Sequence, residues 1–167
     1  MWFIMIACYI LLHSMLCKCY FEPMPFSKSD SAGYLVNHLA RLFAHALQAK
    51  IKPLGLSTGV FPVLLSLWER DGLTQKQLVD QVDVEQATMA NTLARMERDG
   101  LVKRRKDPQD GRVQRIWLTD RARALNGPAT EAAGSVNEDL LSSMSDDERQ
   151  QILALIRKAI ATIGERR

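Results

Sequence analysis

The sequence predicts a mainly α-helical protein with a small β wing, and three adjacent patterns in residues 74–119 lead to this prediction. Two short segments have the apolar spacing of helices and are joined by a tight polar turn. A hairpin rich in lysine and arginine follows them directly. Two helices and a basic hairpin in this order are typical of a winged helix-turn-helix head, here expected over residues 57–119, and such heads bind DNA.

The helix pair has clear start and end signals. Thr74 and Gln77 form a capping box, in which each side chain bonds to the backbone N–H of the other residue, so the first helix should begin at Gln75. The second helix is expected from about Glu85 to Asp99, and Gly100 stands where the residue after a helix often needs a positive φ. The buried face of this second helix is predicted to consist of Met89, Leu93 and Met96.

The opposite face of the second helix is the candidate surface for contact with base edges. Short side chains let a helix approach a major groove, and amides or guanidinium groups can bond to bases there. The candidate DNA contacts on this helix are Gln86, Ala87, Thr88, Asn91, Arg95 and Arg98. An ordinary solvent-exposed helix face has a similar composition, so the interpretation depends on the segment that comes after the helix.

The hairpin after this helix carries a concentrated positive charge. Residues 101–106 and 112–118 have strand patterns, and Asp107-Pro108-Gln109-Asp110-Gly111 between them has the composition of a turn. Residues 103–115 have a net charge of +4, whereas the whole chain carries +3. This local charge suits phosphate contact and insertion of an arginine into the minor groove. The candidate DNA contacts on the hairpin are Lys103, Arg104, Arg105, Asp110 and Arg112.

These segments resemble the multiple-antibiotic-resistance regulator (MarR) family of winged helix-turn-helix proteins. The likeness rests on Ala87-Thr88 with residues 93–102, on Asp110-Gly111-Arg112 followed by Leu118-Thr119, and on the apolar segment 63–68. It extends from about residue 31 to residue 163. The resemblance implies that Arg112 enters the minor groove at the tip of the wing and that Asp110 braces it. Ala122 departs from the pattern, because the family often has glycine there.

The segments on either side of the head, residues 31–55 and 120–165, are predicted to be helical. A kink is expected near Pro128, since proline has no N–H and clashes with the preceding turn. Ser145 and Glu148 form a second capping box that should open the final helix. Two further side chains are expected to cap helices, namely Ser57, whose helix should end at Asp71-Gly72, and Thr119.

The final helix has an apolar stripe too wide for a solvent-exposed terminal helix. Its members are Ile152, Leu153, Leu155, Ile156, Ala159, Ile160 and Ile163. We expect a homodimer in which residues 31–55 and 120–165 of both chains pack together and set two recognition helices about one turn of DNA apart. A monomeric bundle closed by the same helices is the alternative.

The resemblance also implies a pocket for a small aromatic effector between the head and the dimerisation helices. The candidate lining residues are Tyr34, His38, Phe61 and Trp68, although the usual role of such residues is ordinary core or dimer packing.

Residues 1–23 do not fit this organisation. Residues 1–17 are apolar and contain no Asp, Glu, Lys or Arg, yet they lack the positive start of a signal sequence. A start codon assigned too early, with translation beginning at Met24, is one interpretation; a membrane anchor and an additional helix are the others. All three cysteines, Cys8, Cys17 and Cys19, lie here, so no disulfide is expected in the rest of the chain, in keeping with a cytoplasmic protein. The spacing of Cys17 and Cys19 matches zinc sites poorly.

Catalysis, a metal ion and a cofactor are not expected. His38 and His45 share a helix face, but no Cys, Asp or Glu lies between Ser31 and Leu67 to complete a site. We therefore expect a sequence-specific transcriptional regulator, acting as a repressor on a pseudo-palindromic operator and released by an aromatic effector. An architectural DNA-binding or protein-interaction module without effector control is the alternative, although Asn91 and Arg95 favour base readout.

Overall fold

The computed structural model describes residues 26–164. Its elements in chain order are α1 (Ala32–Ile51), a 3-10 turn (Lys52–Leu54), α2 (Phe61–Glu69), β1 (Leu73–Thr74), α3 (Gln75–Val82), α4 (Gln86–Arg98), β2 (Val102–Lys106), β3 (Gln114–Leu118), α5 (Asp120–Ala124), α6 (Asn126–Leu140) and α7 (Asp146–Gly164). The expected mainly helical fold with a small β wing is confirmed. The interpretations of residues 1–23, including those of the three cysteines, concern a segment outside the described residues.

The helix pair forms as its signals predict. The Gln77 N–H lies 3.2 Å from the Thr74 hydroxyl, and the Thr74 N–H lies 2.9 Å from the Gln77 side-chain oxygen, which confirms the capping box. Asp83 takes the left-handed conformation after α3, with φ of 54°, and so turns the chain into α4. Gly100 has φ of 68° after α4, as expected for a residue that ends a helix.

The wing strands pair as a hairpin, and a third strand joins them. In the antiparallel sheet, whose order is β1-β3-β2, Arg104 lies opposite Ile116, and Leu73 lies on the other side of the same Ile116. The sequence did not predict β1, because two residues are too few to show a period. Thr74 is both the last residue of this strand and the cap of α3, so the wing is joined to the start of α3.

The core of the head lies between the helices and one face of this sheet. The side chains that are buried there with almost no exposure include Leu64, Leu67, Leu78, Met89, Leu93, Met96 and Ile116. Met89, Leu93 and Met96 thus form the predicted buried face of α4. The helix turns this face inward and leaves the opposite one in solvent.

Two predicted boundaries of α2 are wrong. Ser57 does not cap the helix, because its carbonyl accepts from the Val60 and Phe61 N–H groups in a separate turn and α2 begins only at Phe61. The helix also ends at Glu69 rather than at Asp71-Gly72. The backbone of Arg70 is already extended, and the chain enters β1 three residues later.

The long helix after the wing is interrupted, as predicted, but the break lies at Leu125. Thr119 caps α5 by accepting from the Ala122 N–H at 3.2 Å, which confirms that prediction. Pro128 has no N–H to donate to the carbonyl four residues before it, and α6 restarts with the Ala129 N–H bonded to Leu125 at 3.0 Å. The interruption of the helix therefore lies at Leu125, three residues before the proline.

The final helix begins at its predicted capping box. The Ser145 N–H lies 2.8 Å from a Glu148 carboxylate oxygen, and the Glu148 N–H lies 3.3 Å from the Ser145 hydroxyl.

Lys50 of α1 donates to Asp139 and Ser135 of α6, at 2.6 and 2.8 Å. No helix within residues 26–164 combines the length and the apolar character needed to span a bilayer.

The described chain divides into two compact units at His38, within α1. In residues 26–38, the Ser31 hydroxyl accepts from the Tyr34 N–H at 3.3 Å. The rings of Tyr34 and His38 lie 6.2 Å apart and are tilted by 52°. The second unit begins at Leu39 and contains the head and helices α5 to α7.

Candidate nucleic-acid interface

The outer face of α4 is free of core contacts. Its exposed residues include all six of the predicted contacts on this helix, which are Gln86, Ala87, Thr88, Asn91, Arg95 and Arg98. Gln75 of α3 donates to the Gln86 side-chain oxygen at 3.2 Å and so ties the first turn of α4 to its neighbour. The side chain of Glu85, the residue before α4, does not cap the helix, and uncapped backbone donors at a helix start commonly bind phosphate.

The two arginines of α4 differ in their local contacts. Arg95 lies 3.4 Å from the hydroxyl of Thr92, a residue that is itself buried, so its guanidinium is held along the helix. Arg98 lies 3.3 Å from the Asp99 carboxylate, which offsets part of its charge. The neutral hydroxyl does not compensate the charge of Arg95, whereas Asp99 offsets that of Arg98. Arg95 is therefore the more available cation for a base edge.

The basic side chains of β2 divide between the two faces of the wing. Lys103 and Arg105 are exposed on the face away from the core. Arg104 lies on the other face, half-buried, with its Nε 3.2 Å from a Glu97 oxygen in an ion pair rather than an aligned hydrogen bond. The sequence grouped all three as DNA contacts, but only Lys103 and Arg105 are open to solvent without such a partner in the described chain.

The tip of the wing presents Arg112 to solvent. Asp110 accepts from the Arg112 backbone N–H at 3.0 Å, and the Asp110 carbonyl accepts from Val113 at 2.9 Å. Asp110 therefore shapes the turn from which Arg112 projects. The Asp110 carboxylate bonds to the backbone N–H of Arg112 and not to its side chain in the described contacts. The resemblance implied a brace without specifying the atoms.

The base of the wing holds a buried carboxylate that sequence reasoning missed. The side chain of Asp107 is only 8% exposed. One oxygen accepts from the Gln109 N–H at 2.8 Å and the other from the Arg115 Nε. The Gln109 N–H, followed by Arg115, holds the pKa of Asp107 below its ordinary value. From the sequence, Asp107 is only a turn residue. The available signal for its ion pair was the opposite charge of Arg115 on the facing strand of the predicted hairpin.

A second carboxylate, Asp71, ties the helix after the wing to the head. One of its oxygens accepts from the Leu118 N–H at 2.9 Å, and the other accepts from Arg123 at 2.7 Å. The carboxylate raises the pKa of Arg123 above its ordinary value. Nearby, Arg121 donates to the carbonyl of Asp99 at 2.8 Å. Helix α5 is thus bonded to the end of α4 and to Asp71 in the loop before β1, and Asp71 in turn bonds to the wing strand β3.

Two of the candidate effector residues have structural contacts in the head. The Trp68 indole donates to the Ala122 carbonyl at 2.9 Å, which adds a further bond between α2 and α5. The Phe61 ring is buried and meets the Trp68 ring edge to face, with 6.2 Å between the ring centres. Within residues 26–164, no three His, Cys, Asp or Glu side chains are grouped so as to hold a metal ion.

Comparison with known proteins identifies the family. The profile of the MarR family matches residues 56–113. The transcriptional regulator HosA of Escherichia coli O111:H- is 33% identical over 121 residues, which cover 72% of this chain and 84% of HosA. The chain belongs to the MarR family. It is a transcriptional regulator with the DNA-binding winged-helix fold of that family.

Solved structures agree with the fold of this MarR-family chain. A MarR regulator from Methanosarcina mazei Go1 is 27% identical with a TM-score of 0.75, over 81% of this chain and 97% of that one. The PcaV regulator of Streptomyces coelicolor, solved in complex with its natural ligand, is 25% identical with a TM-score of 0.70. That match covers 82% of this chain and 96% of PcaV. HosA, PcaV and the Methanosarcina mazei protein are all named as transcriptional regulators.

Proposed function

We propose that this chain is a repressor that binds a pseudo-palindromic operator as a homodimer. The observation that supports this most is the exposed outer face of α4, which carries Asn91 and Arg95 beside a projecting basic wing. An amide and a guanidinium on a groove-sized helix face suit base readout. A dimer seated across a promoter blocks it, which makes repression the simplest outcome of binding.

The proposed roles divide between the two parts of the interface. Asn91 and Arg95 of α4 contact base edges in the major groove, with the smaller side chains of that face allowing close approach. Lys103 and Arg105 contact phosphates, and Arg112 enters the minor groove. Arg104 contributes less, since Glu97 already pairs with it.

The homodimer is supported by the unburied apolar surface of α7. None of its nineteen residues, all of which are described, is buried. Leu39 and Phe43 of α1, together with Ile152 and Ile156 of α7, line an apolar groove of about 260 Å³. We assign residues 31–55 and 120–165 to dimerisation and residues 57–119 to the DNA-binding head, because the exposed large apolar side chains of the described residues, apart from Leu65, lie outside the head.

Release by a small aromatic effector is the remaining part of the proposal. Tyr34, His38, Phe61 and Trp68 remain its candidate residues, being aromatic groups of which all but Phe61 also carry a polar atom. The ligand bound to PcaV, a relative of the same fold, supports control by a small molecule. Since Trp68 donates to Ala122 of α5, a ligand that displaced this bond would loosen α5 from the head.

Selection of bound duplexes from a random pool tests the proposal. The full chain should enrich two inverted half-sites about 10 base pairs apart. Asn91→Ala should then lose discrimination at particular base positions, by about 1–3 kcal/mol each. Lys103→Ala should instead weaken all duplexes alike and reduce the salt slope by about one.

Lys158→Ala is the matched control, because it removes one exposed positive charge from α7, away from the proposed interface. It should leave both discrimination and the salt slope unchanged. If Asn91→Ala weakens every duplex equally, or if no half-site is enriched, the chain is an architectural binder and not an operator-specific repressor.

A further inference from the structure

We propose that Asp107 and Arg115 are positioning residues that hold the wing tip, and with it Arg112, at a fixed angle to the recognition helix α4. This inference rests on the proposed role of Arg112 in the minor groove. Neither Asp107 nor Arg115 is proposed to contact DNA. Their effect on binding passes through the loop that they fix.

The first step is closure of the loop at its base. Residues 107–113 leave β2 and return to β3, and the Asp107 N–H bonds to the Val113 carbonyl at 2.8 Å. The Asp107 carboxylate then accepts from the Gln109 N–H inside the loop and from Arg115 on β3. One buried carboxylate therefore holds both strands and the start of the tip.

The second step links this loop to the helix pair. The second nitrogen of the Arg115 guanidinium, Nη1, donates to the Gly72 carbonyl at 2.9 Å. Gly72 also donates to Ile116 at 3.1 Å and directly precedes β1, which ends at the cap of α3. A single planar side chain therefore spans the wing and the segment that opens the helix-turn-helix.

The close approach at Gly72 depends on the absence of a side chain. Gly72 has φ of 76°, and an added Cβ would lie 2.7 Å from the ring of Trp117 on β3. Glycine lets the chain pass against the sheet and leaves its carbonyl within reach of Arg115. The link between wing and head is thus built into the local backbone.

The bonds of Asp107 to Gln109 and Arg115, and of Arg115 to Gly72, together form a clamp at the base of the wing. The charges of this clamp favour one wing geometry. Asp107 is almost fully enclosed, and its carboxylate is satisfied only while Gln109 and Arg115 keep their places. Breaking a largely buried pair leaves a charge without its partner, which is strongly unfavourable. A wing without this clamp would sample several positions and would have to be ordered on DNA at a cost in entropy.

A double-mutant cycle on the full chain tests the clamp. Asp107→Asn keeps the size of the side chain and an acceptor for Gln109 but removes the charge that pairs with Arg115. Affinity for a selected operator duplex, measured by fluorescence anisotropy, should fall about tenfold in the parent background. In the Arg112→Ala background the same change should cost less than about twofold, because there is no longer an arginine to position.

Arg115→Lys is the second variant, and it keeps the positive charge while losing the fork that joins Asp107 to Gly72. It should show the same dependence on Arg112. Asp120→Asn is the matched control, since this carboxylate is fully exposed and pairs only with Arg123 in the described contacts. It should change affinity little in either background.

Hydrogen exchange of the wing amides without DNA separates this inference from the proposed function. Asp107→Asn and Arg115→Lys should speed exchange in residues 109–113 while the α4 amides stay protected. If Arg112→Ala alone leaves affinity unchanged, the minor-groove role fails, and faster wing exchange still supports the clamp. Equal losses from Asp107→Asn in both backgrounds, or unchanged wing exchange, would overturn it.

Discussion

The head and the final helix α7 differ sharply in how far their apolar side chains are buried. In the head, α2, α3, α4 and the sheet enclose side chains such as Leu67 and Leu93 almost completely. In α7, Leu155 and Ile160 are 65% and 66% exposed. The head therefore encloses its apolar side chains, in a core to which Ile51, Ala122 and Ala129 from the flanking helices also belong. Helix α7 leaves its own exposed, as the proposed dimer requires.

Hydrogen bonding follows the same division. Asp71 and Asp107 each join two elements, through bonds that are part-buried except for the exposed one from Arg123 of α5 to Asp71. The links of α7 lie near its start, where Arg149 donates to the Leu141 and Met144 carbonyls at 3.0 and 3.1 Å. The head thus fixes the side chains that we propose contact DNA, and α7 presents the apolar face of the proposed dimer.

The largest expected effect is on the core of the head. Leu93→Ala should lower the free energy of unfolding by about 2–5 kcal/mol, because it leaves a cavity at a fully buried position on α4. Leu155→Ala removes the same atoms from an exposed position, and within one chain it should cost under about 1 kcal/mol.

Denaturant unfolding at several protein concentrations measures both changes. The loss from Leu93→Ala should be independent of concentration, whereas any loss from Leu155→Ala should depend on it, since it acts through the proposed dimer. Equal losses from the two variants would remove the distinction between core and association surface.

The sequence predicted the elements whose signals are local. Both capping boxes, the buried face of α4 and the hairpin are confirmed, because side-chain spacing and turn composition determine them directly. The predicted start of α2 was wrong. Ser57 has the chemistry of a capping residue, but it lies in a separate turn that precedes the helix, which begins only at Phe61. The strand β1 was missed because it exists only through pairing with β3.

The site was predictable as a surface but not as a set of contacts. Exposure of Asn91 and Arg112 follows from helix periodicity and turn position. The pairing of Arg104 with Glu97 joins a strand to a helix, and the bond from Arg115 to Gly72 joins positions 43 residues apart. Such contacts depend on how the elements pack, which spacing along the chain does not encode.

A smaller effect should appear in acid. The folded pKa of Asp107 is lowered, so its carboxylate stabilises the fold above its unfolded pKa of about 3.9, and this contribution is lost as pH falls through the folded value. The pKa of Glu148 is lowered as well, by the N–H and hydroxyl of Ser145, but Glu148 is exposed at the start of α7. Acid should therefore weaken the wing more than the cap.

Thermal unfolding from pH 7 to pH 3 measures this difference. Asp107→Asn should lower the melting temperature at pH 7, and its difference from the parent should shrink below about pH 4. Glu148→Gln, the matched change in α7, should show the same trend with a smaller amplitude. A difference for Asp107→Asn that stays constant down to pH 3 would contradict the assignment.

The proposed dimer, which would join two heads, is tested most directly by sedimentation of the full chain with and without a charge in the α7 stripe. Ile160→Lys is the chosen change, because lysine places a charge in the apolar seam without repelling the Asp80 and Asp83 side chains that line a hollow with Ile160. Gln151→Lys adds the same charge at an exposed position off the stripe and is the matched control.

The parent and Gln151→Lys should sediment as dimers and bind a two-half-site operator tightly. Ile160→Lys should sediment as a folded monomer and lose most of its operator affinity, since a single head no longer benefits from a second half-site held in register. If Ile160→Lys remains a dimer with parental affinity, or if the parent itself is a monomer that binds the full operator tightly, α7 does not join the two heads and the proposed dimer is wrong.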